Sequence, residues 1–125
     1  MKKAFRYNFI AAILLMLSCG KSLPTLHDVD LKSWVADKNA CSGKRSDALQ
    51  AMQDQKDDFL GLSEIQIVEL LGRPDHNELY KRNQKFYYYF LQPSPDCPDT
   101  VSSEPLKLTI RFNAMGYAKE VSIDS

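Results

Sequence analysis

Apolar residues are spaced in three ways along this chain, and each spacing predicts a different element. From Phe9 to Leu17 they form an unbroken run. Between Leu31 and Leu71 they recur at three- and four-residue intervals among polar positions, the spacing that puts them on one side of a helix. Beyond His76 they alternate with polar residues or crowd together as aromatics, which is strand-like.

The helix with the clearest ends lies in FLGLSEIQIVELLGRPD, Phe59 to Asp75. Ser63 can cap it through its hydroxyl, and Gln66 can reach back to the cap's amide, the capping-box spacing. Leu62 and Ile67 are placed as a hydrophobic staple, and Ile65, Val68 and Leu71 supply an apolar side. Gly72 ends the helix, since glycine takes the left-handed conformation without steric cost, and Pro74 prevents resumption. Upstream, Asp30 can cap a turn or two in which Leu31, Trp34 and Val35 share a face, with residues 37–43 as the exit loop. Ser46 or Asp47 opens a second helix through Ala48, Leu49 and Met52 towards Phe59, its Gln50, Gln53, Asp54 and Asp57 face being solvated. Trp34, the only tryptophan, reads as a core anchor ahead of a partner contact, because an indole buries a large area.

Strands follow. Asn77 to Arg82 can form the first, with a turn at Asn83-Gln84. In KFYYYFLQ, Phe86, Tyr88 and Phe90 point one way and Tyr87, Tyr89 and Leu91 the other, so both faces are apolar. One face is core. The other packs under a second layer or is exposed, and Tyr87, Tyr89 and Leu91 in line would make a patch for a partner; aromatic cross-strand pairs that only hold the sheet together are the alternative. Residues 92–105, QPSPDCPDTVSSEP, read as a loop. Leu106, Leu108, Ile110 and Phe112 alternate with polar residues in a half-buried strand, 113–116 turns, and 117–123 returns with Val121 and Ile123 inward. The expected fold is α+β, two-layer: two or three short helices packed on a three- or four-stranded antiparallel sheet.

The N-terminal run changes the compartment. Lys2, Lys3 and Arg6 precede an apolar stretch too short to span a bilayer and suited to a signal peptide. It ends Met16-Leu17-Ser18-Cys19-Gly20, which resembles the lipobox of bacterial lipoproteins. That resemblance implies a signal peptide at 1–18, acylation of Cys19 with palmitate-type chains, and a tether over 19–28 leading to one domain at 29–125. An ordinary secretory signal with Cys19 near the cut is the alternative. Two or more acyl chains make membrane attachment lasting, whereas one does not. Removing 1–18 takes away three of the 16 basic residues and none of the 16 acidic ones, leaving −3, which argues against nucleic acid as a partner.

With Cys19 acylated, Cys41 and Cys97 remain, and in an oxidising envelope such a pair is expected to bond; two free thiols are the alternative. The chain has no C-x-x-C and no close His pair, so neither a zinc site nor another metal site is expected. Nor is a catalytic constellation legible, so no enzyme activity, cofactor or small-molecule substrate is expected. His27 lies in the tether and His76 in the helix-to-strand turn, where each reads as a solvated loop residue ahead of an acid or base. Asp75 and Arg73 are placed to shape that turn.

The helix ending in LLGRPD, the aromatic strand FYYYF and the hairpin LKLTIRFNAMGYAKEV together resemble the SmpA/OmlA family, the small BamE-like outer-membrane lipoproteins, over Phe59 to Ile123. They also fit the wider set of β-lactamase-inhibitor-like domains. The first resemblance implies a lipid-anchored, periplasm-facing outer-membrane protein that acts by protein binding, as an accessory subunit in β-barrel assembly or envelope maintenance. The second implies an inhibitor-like binding module; an envelope enzyme with an unfamiliar site is a third class. The family's Tyr-containing segment leading to Gln-Gly-Asn is replaced here by WVADKNACSGKR, so that segment's contact residues do not transfer.

Overall fold

The computed structural model describes residues 20–98 and 104–125; Cys19 and the signal peptide expected at 1–18 lie outside them, as do five residues of the 92–105 loop. Four helices, α1 (Leu31–Ala36), α2 (Lys44–Asp47), α3 (Leu49–Gln55) and α4 (Glu64–Leu71), precede four strands, β1 (His76–Tyr80), β2 (Gln84–Phe90), β3 (Lys107–Phe112) and β4 (Ala118–Asp124). The strands form one antiparallel sheet in the order β1-β2-β3-β4, and the helices pack on one face. The fold is α+β, as the spacing of apolar residues predicts.

The α4 capping box forms as expected. Gln66 N donates to Ser63 Oγ at 3.2 Å and Ser63 N donates to Gln66 Oε1 at 3.0 Å, a cap worth about 1 kcal/mol. Its apolar face differs from the expected one. Ile67, Leu70 and Leu71 are buried, while Ile65 is 72% exposed, because the sheet meets the i, i+3, i+4 stripe and not the row at threes. Gly72 ends the helix at φ 80°, ψ −177°, outside the left-handed helical region but in one that is essentially glycine's alone. A Cβ there would lie 3.2 Å from Val35 Cγ2.

The second helix is broken where a continuous one was expected. It starts at Lys44, hinges at Ala48 and resumes over Leu49–Gln55 before a 3-10 turn at Lys56–Phe59. Its start is set from a distance: the buried Asp37 carboxylate accepts from Ser42 N at 2.7 Å and Arg45 N at 3.0 Å. β1 lies one residue earlier at its start than expected, and Lys81–Asn83 forms a 3-10 turn in place of the Asn83-Gln84 turn.

The core joins Trp34, Met52, Phe59, Leu62, Ile67 and Leu71 of the helical layer to Tyr89, Leu108, Ile110 and Phe112 of the sheet. Each such side chain contributes about 1.5–3 kcal/mol by burial. Trp34 is an anchor of this core, and its Nε1 donates to Leu71 O at 3.1 Å.

The stretch 20–28 is not a free spacer. Lys21 Nζ donates to Asp58 O and Leu60 O at 2.7 and 2.6 Å, Gln66 Nε2 to Lys21 O at 2.6 Å, and His27 exchanges two hydrogen bonds with the Gln55 side chain. Leu26 packs against the core. A polar tether forms a strap here because its backbone finds partners on the helical layer. Among the described residues no helix is long and apolar enough to cross a membrane.

Candidate interaction surface

β2 decides which face of the sheet is available. It pairs with β3 so that Tyr89 lies opposite Leu108 and Tyr87 opposite Ile110, which places both tyrosines on the side already taken by the helices. Tyr89 and Leu91 are fully buried, and Tyr87 is half-buried with its ring 4.7 Å from that of Phe112. The partner patch expected at Tyr87, Tyr89 and Leu91 is therefore core. The reason is register: a one-residue change of facing exchanges the two aromatic sets.

The other set, Phe86, Tyr88 and Phe90, stands on the face that no helix covers. Phe86 and Tyr88 stack at 6.3 Å with 9° between planes, Tyr80 meets Phe86 edge-on at 6.1 Å, and His76 meets Phe90 edge-on at 5.6 Å. Charges flank the row: Lys107 Nζ lies 4.7 Å from the centre of the Tyr88 ring, Tyr88 OH donates to Glu78 at 3.0 Å, and Arg111 pairs with Glu120 at 3.0 Å. Aromatics at the centre with charges around them are the make-up of a protein-binding surface.

At one end of this face His76, Asn77, Glu78, Tyr88, Phe90 and Lys107 line an open depression of about 260 Å³. His76 Nε2 lies 3.3 Å from Asp96 Oδ2, both side chains being exposed. Among the described residues the hydrogen-bond partner of the His76 ring is Asp96. Groups of three or more His, Cys, Asp or Glu able to hold a metal are absent among the described residues.

The sequence reading missed the most buried charged group. Arg45 is 1% exposed and pairs with Asp75, whose side chain is fully buried. Asp75 also accepts from Asn39 N at 3.0 Å and Phe90 N at 2.8 Å, and Arg45 Nε donates to Trp34 O at 3.0 Å. Asp75 thus does shape the turn, but with Arg45; Arg73 is exposed. Beside this pair Cys41 and Cys97 are bonded, with Cα atoms 5.4 Å apart, and Ser94 N donates to Asn39 O at 3.0 Å. The two ties fasten the start of the 92–105 loop to the helical layer at the end of β2. His27 is on the strap.

Comparison with known families, with curated proteins and with solved structures finds no match to this chain. Function is thus argued from the surface and the sequence motifs.

Two predictions concern this sheet. Thr109 Oγ1, between Tyr88 and Ser122 across the strands, is covered and is the one buried side-chain polar atom without a hydrogen-bond partner among the described residues. An unpartnered buried hydroxyl costs about 1–3 kcal/mol. Thr109→Val is expected to raise the melting temperature by several degrees; a drop in calorimetry would contradict it.

The second concerns pH. Burial pushes the phenols of Tyr87, Tyr88 and Tyr89 above the ordinary 10.0, most strongly for Tyr89, whose hydroxyl donates to Gly72 O at 2.8 Å. Below pH about 10 both folded and unfolded chains keep these protons; above it the unfolded chain releases them first, so stability falls as pH rises. Melting curves by circular dichroism are expected to shift down between pH about 9 and about 11. Unchanged curves would contradict the burial of these phenols.

Proposed function

We propose that this chain is a lipid-anchored protein of the bacterial cell envelope that works by binding another protein through the uncovered face of its sheet. The observation that carries the reading is the aromatic row Phe86-Tyr88-Phe90, half-buried and covered by no helix, with charged flanks, while the opposite face is filled by helices. The lipobox-like Leu17-Ser18-Cys19-Gly20 supports acylation of Cys19, an outer-membrane, periplasm-facing location and contact with membrane lipid. Resemblance of LLGRPD, FYYYF and the final hairpin to the BamE-like lipoproteins supports an accessory role in β-barrel assembly. The partner is an envelope protein; catalysis, cofactors and nucleic acid have no part in this reading.

The test is photo-crosslinking in intact cells from a reactive side chain placed at Glu78, beside Tyr88. An adduct with one envelope protein is expected, and Tyr88→Glu is expected to abolish it while leaving the melting temperature within a few degrees. Absence of an adduct above background, or an adduct indifferent to Tyr88→Glu, would contradict the proposal. Copurification with the barrel-assembly complex assigns the accessory role, since an inhibitor-like module would not accompany that complex.

A further inference from the structure

The strap brings the chain's exit point to one end of the fold. Lys21 is held to the carbonyls of Asp58 and Leu60 and to the side chain of Gln66. Cys19 precedes it by two residues, and consecutive Cα atoms lie about 3.8 Å apart, so an acylated Cys19 cannot stand far from this end. Gly61 and Leu62 pair with Ala118 at the start of β4, and Glu64 N donates to Gly116 O in the β3–β4 turn. The strap, the first turn of α4 and the hairpin tip therefore share one end of the molecule.

That end is apolar to an unusual degree for a water-facing surface. Met115 is 79% exposed, Ile65 72%, Tyr117 46% and Leu60 36%. Leu79 and Tyr80, also exposed, finish β1 on the same side of the sheet, because Leu79 pairs with Lys85 and Lys85 with Phe112, just before the turn. Val35, beside Gly72, is a large exposed apolar side chain of the far end. Of the nearby charges, Lys21 is engaged by two carbonyls and Glu64 by Lys85 at 3.0 Å and the Tyr87 hydroxyl at 3.1 Å, while Asp58, Lys81, Arg82 and Lys119 are exposed at its margin.

We propose that Leu60, Ile65, Met115 and Tyr117 form a membrane seat, lying in the headgroup region of the bilayer that holds the acyl chains. The inference rests on the lipoprotein reading, because the bilayer is chosen as occupant by the short, docked path from Cys19. A strap fixed to the fold leaves no slack to lift this end clear of the lipid, and apolar side chains with a tyrosine among them partition into the interface. The seat adds a second contact to the anchor and fixes orientation. The sheet then stands off the membrane, with the disulfide-tied loop at its outer end. β2 alone spans about 20 Å of that height, at ~3.3 Å per residue.

The experiment uses the full-length protein extracted from envelopes and reconstituted into vesicles of phosphatidylethanolamine and phosphatidylglycerol with chains brominated near the headgroup. Met115→Trp reports on the seat and Asp96→Trp on the opposite end; Trp34, buried in both, supplies a constant background. The Met115→Trp emission is expected to shift to the blue and lose most of its intensity on brominated lipid, while that of Asp96→Trp stays unquenched. If the protein floats with the vesicles but neither position is quenched, or both are quenched alike, the seat is wrong and the anchor stands. If the protein does not float with vesicles at all, the lipoprotein reading fails and the seat with it. A photo-crosslinker at Met115 that traps protein rather than lipid in intact cells would also overturn the proposal.

Discussion

Replacing Cys41 and Cys97 together by alanine is expected to lower the melting temperature by about 15–30 °C. The bridge links cysteines 56 residues apart, and a loop of that size loses about 4 kcal/mol of unfolded-state entropy when closed. In a domain of this size each kcal/mol moves the midpoint by about 4–8 °C. A total stability of about 5–15 kcal/mol makes the bridge a large share of what keeps the fold together. Calorimetry of the double variant beside the oxidised parent measures it, and coincident melting curves would contradict it.

Asp75→Ala is expected to cost about 3–5 kcal/mol, comparable to losing the disulfide. The substitution leaves the Arg45 guanidinium buried without its counter-ion, which is the costly way to break an internal pair. It also orphans the amides of Asn39 and Phe90. Asn39 and Ala40 hold φ near 59° and 58°, a conformation that costs a side-chain-bearing residue about 1–2 kcal/mol; Asp75 on one side and Cys41–Cys97 on the other keep them there. The two ties share this turn, so combining Asp75→Ala with loss of the disulfide is expected to depart from additivity. Urea denaturation of the single and combined variants measures both effects, and a loss of under about 1 kcal/mol for Asp75→Ala would show the pair to be dispensable.

What was legible in the sequence is what local rules govern. Ser63, Gln66 and Gly72 mark their helix because a cap, its reciprocal partner and a stop are all within ten residues of one another. Leu108, Ile110 and Phe112 mark their strand because polar residues separate them. The facing of β2 was not legible, since Phe86-Tyr87-Tyr88-Tyr89-Phe90 is apolar in both periods of two. Only its register against β3 decides which tyrosines are core, and the 92–105 loop between the strands carries no register signal. Cys41 and Cys97 were legible through chemistry, the compartment implied by residues 1–19 making an envelope bridge the natural reading of the pair.

Arg45 was illegible for a different reason. Its burial depends on Trp34 and Asp37 from one part of the chain and Asp75 from another, and nothing near Arg45 in sequence separates it from a surface arginine such as Arg73. The strap hid itself similarly, because the hydrogen-bond partners of Lys21 and His27 are Asp58, Leu60, Gln66 and Gln55. A tether and a strap have the same composition.

The most direct test of a lipid-anchored binding protein is the mass of the mature N-terminus. Protein extracted from cell envelopes is expected to begin at Cys19 and to carry the added mass of its acyl chains, with unprocessed precursor accumulating when lipoprotein signal peptidase is blocked. A mature chain that begins elsewhere, or one that begins at Cys19 with an unmodified thiol, would contradict it.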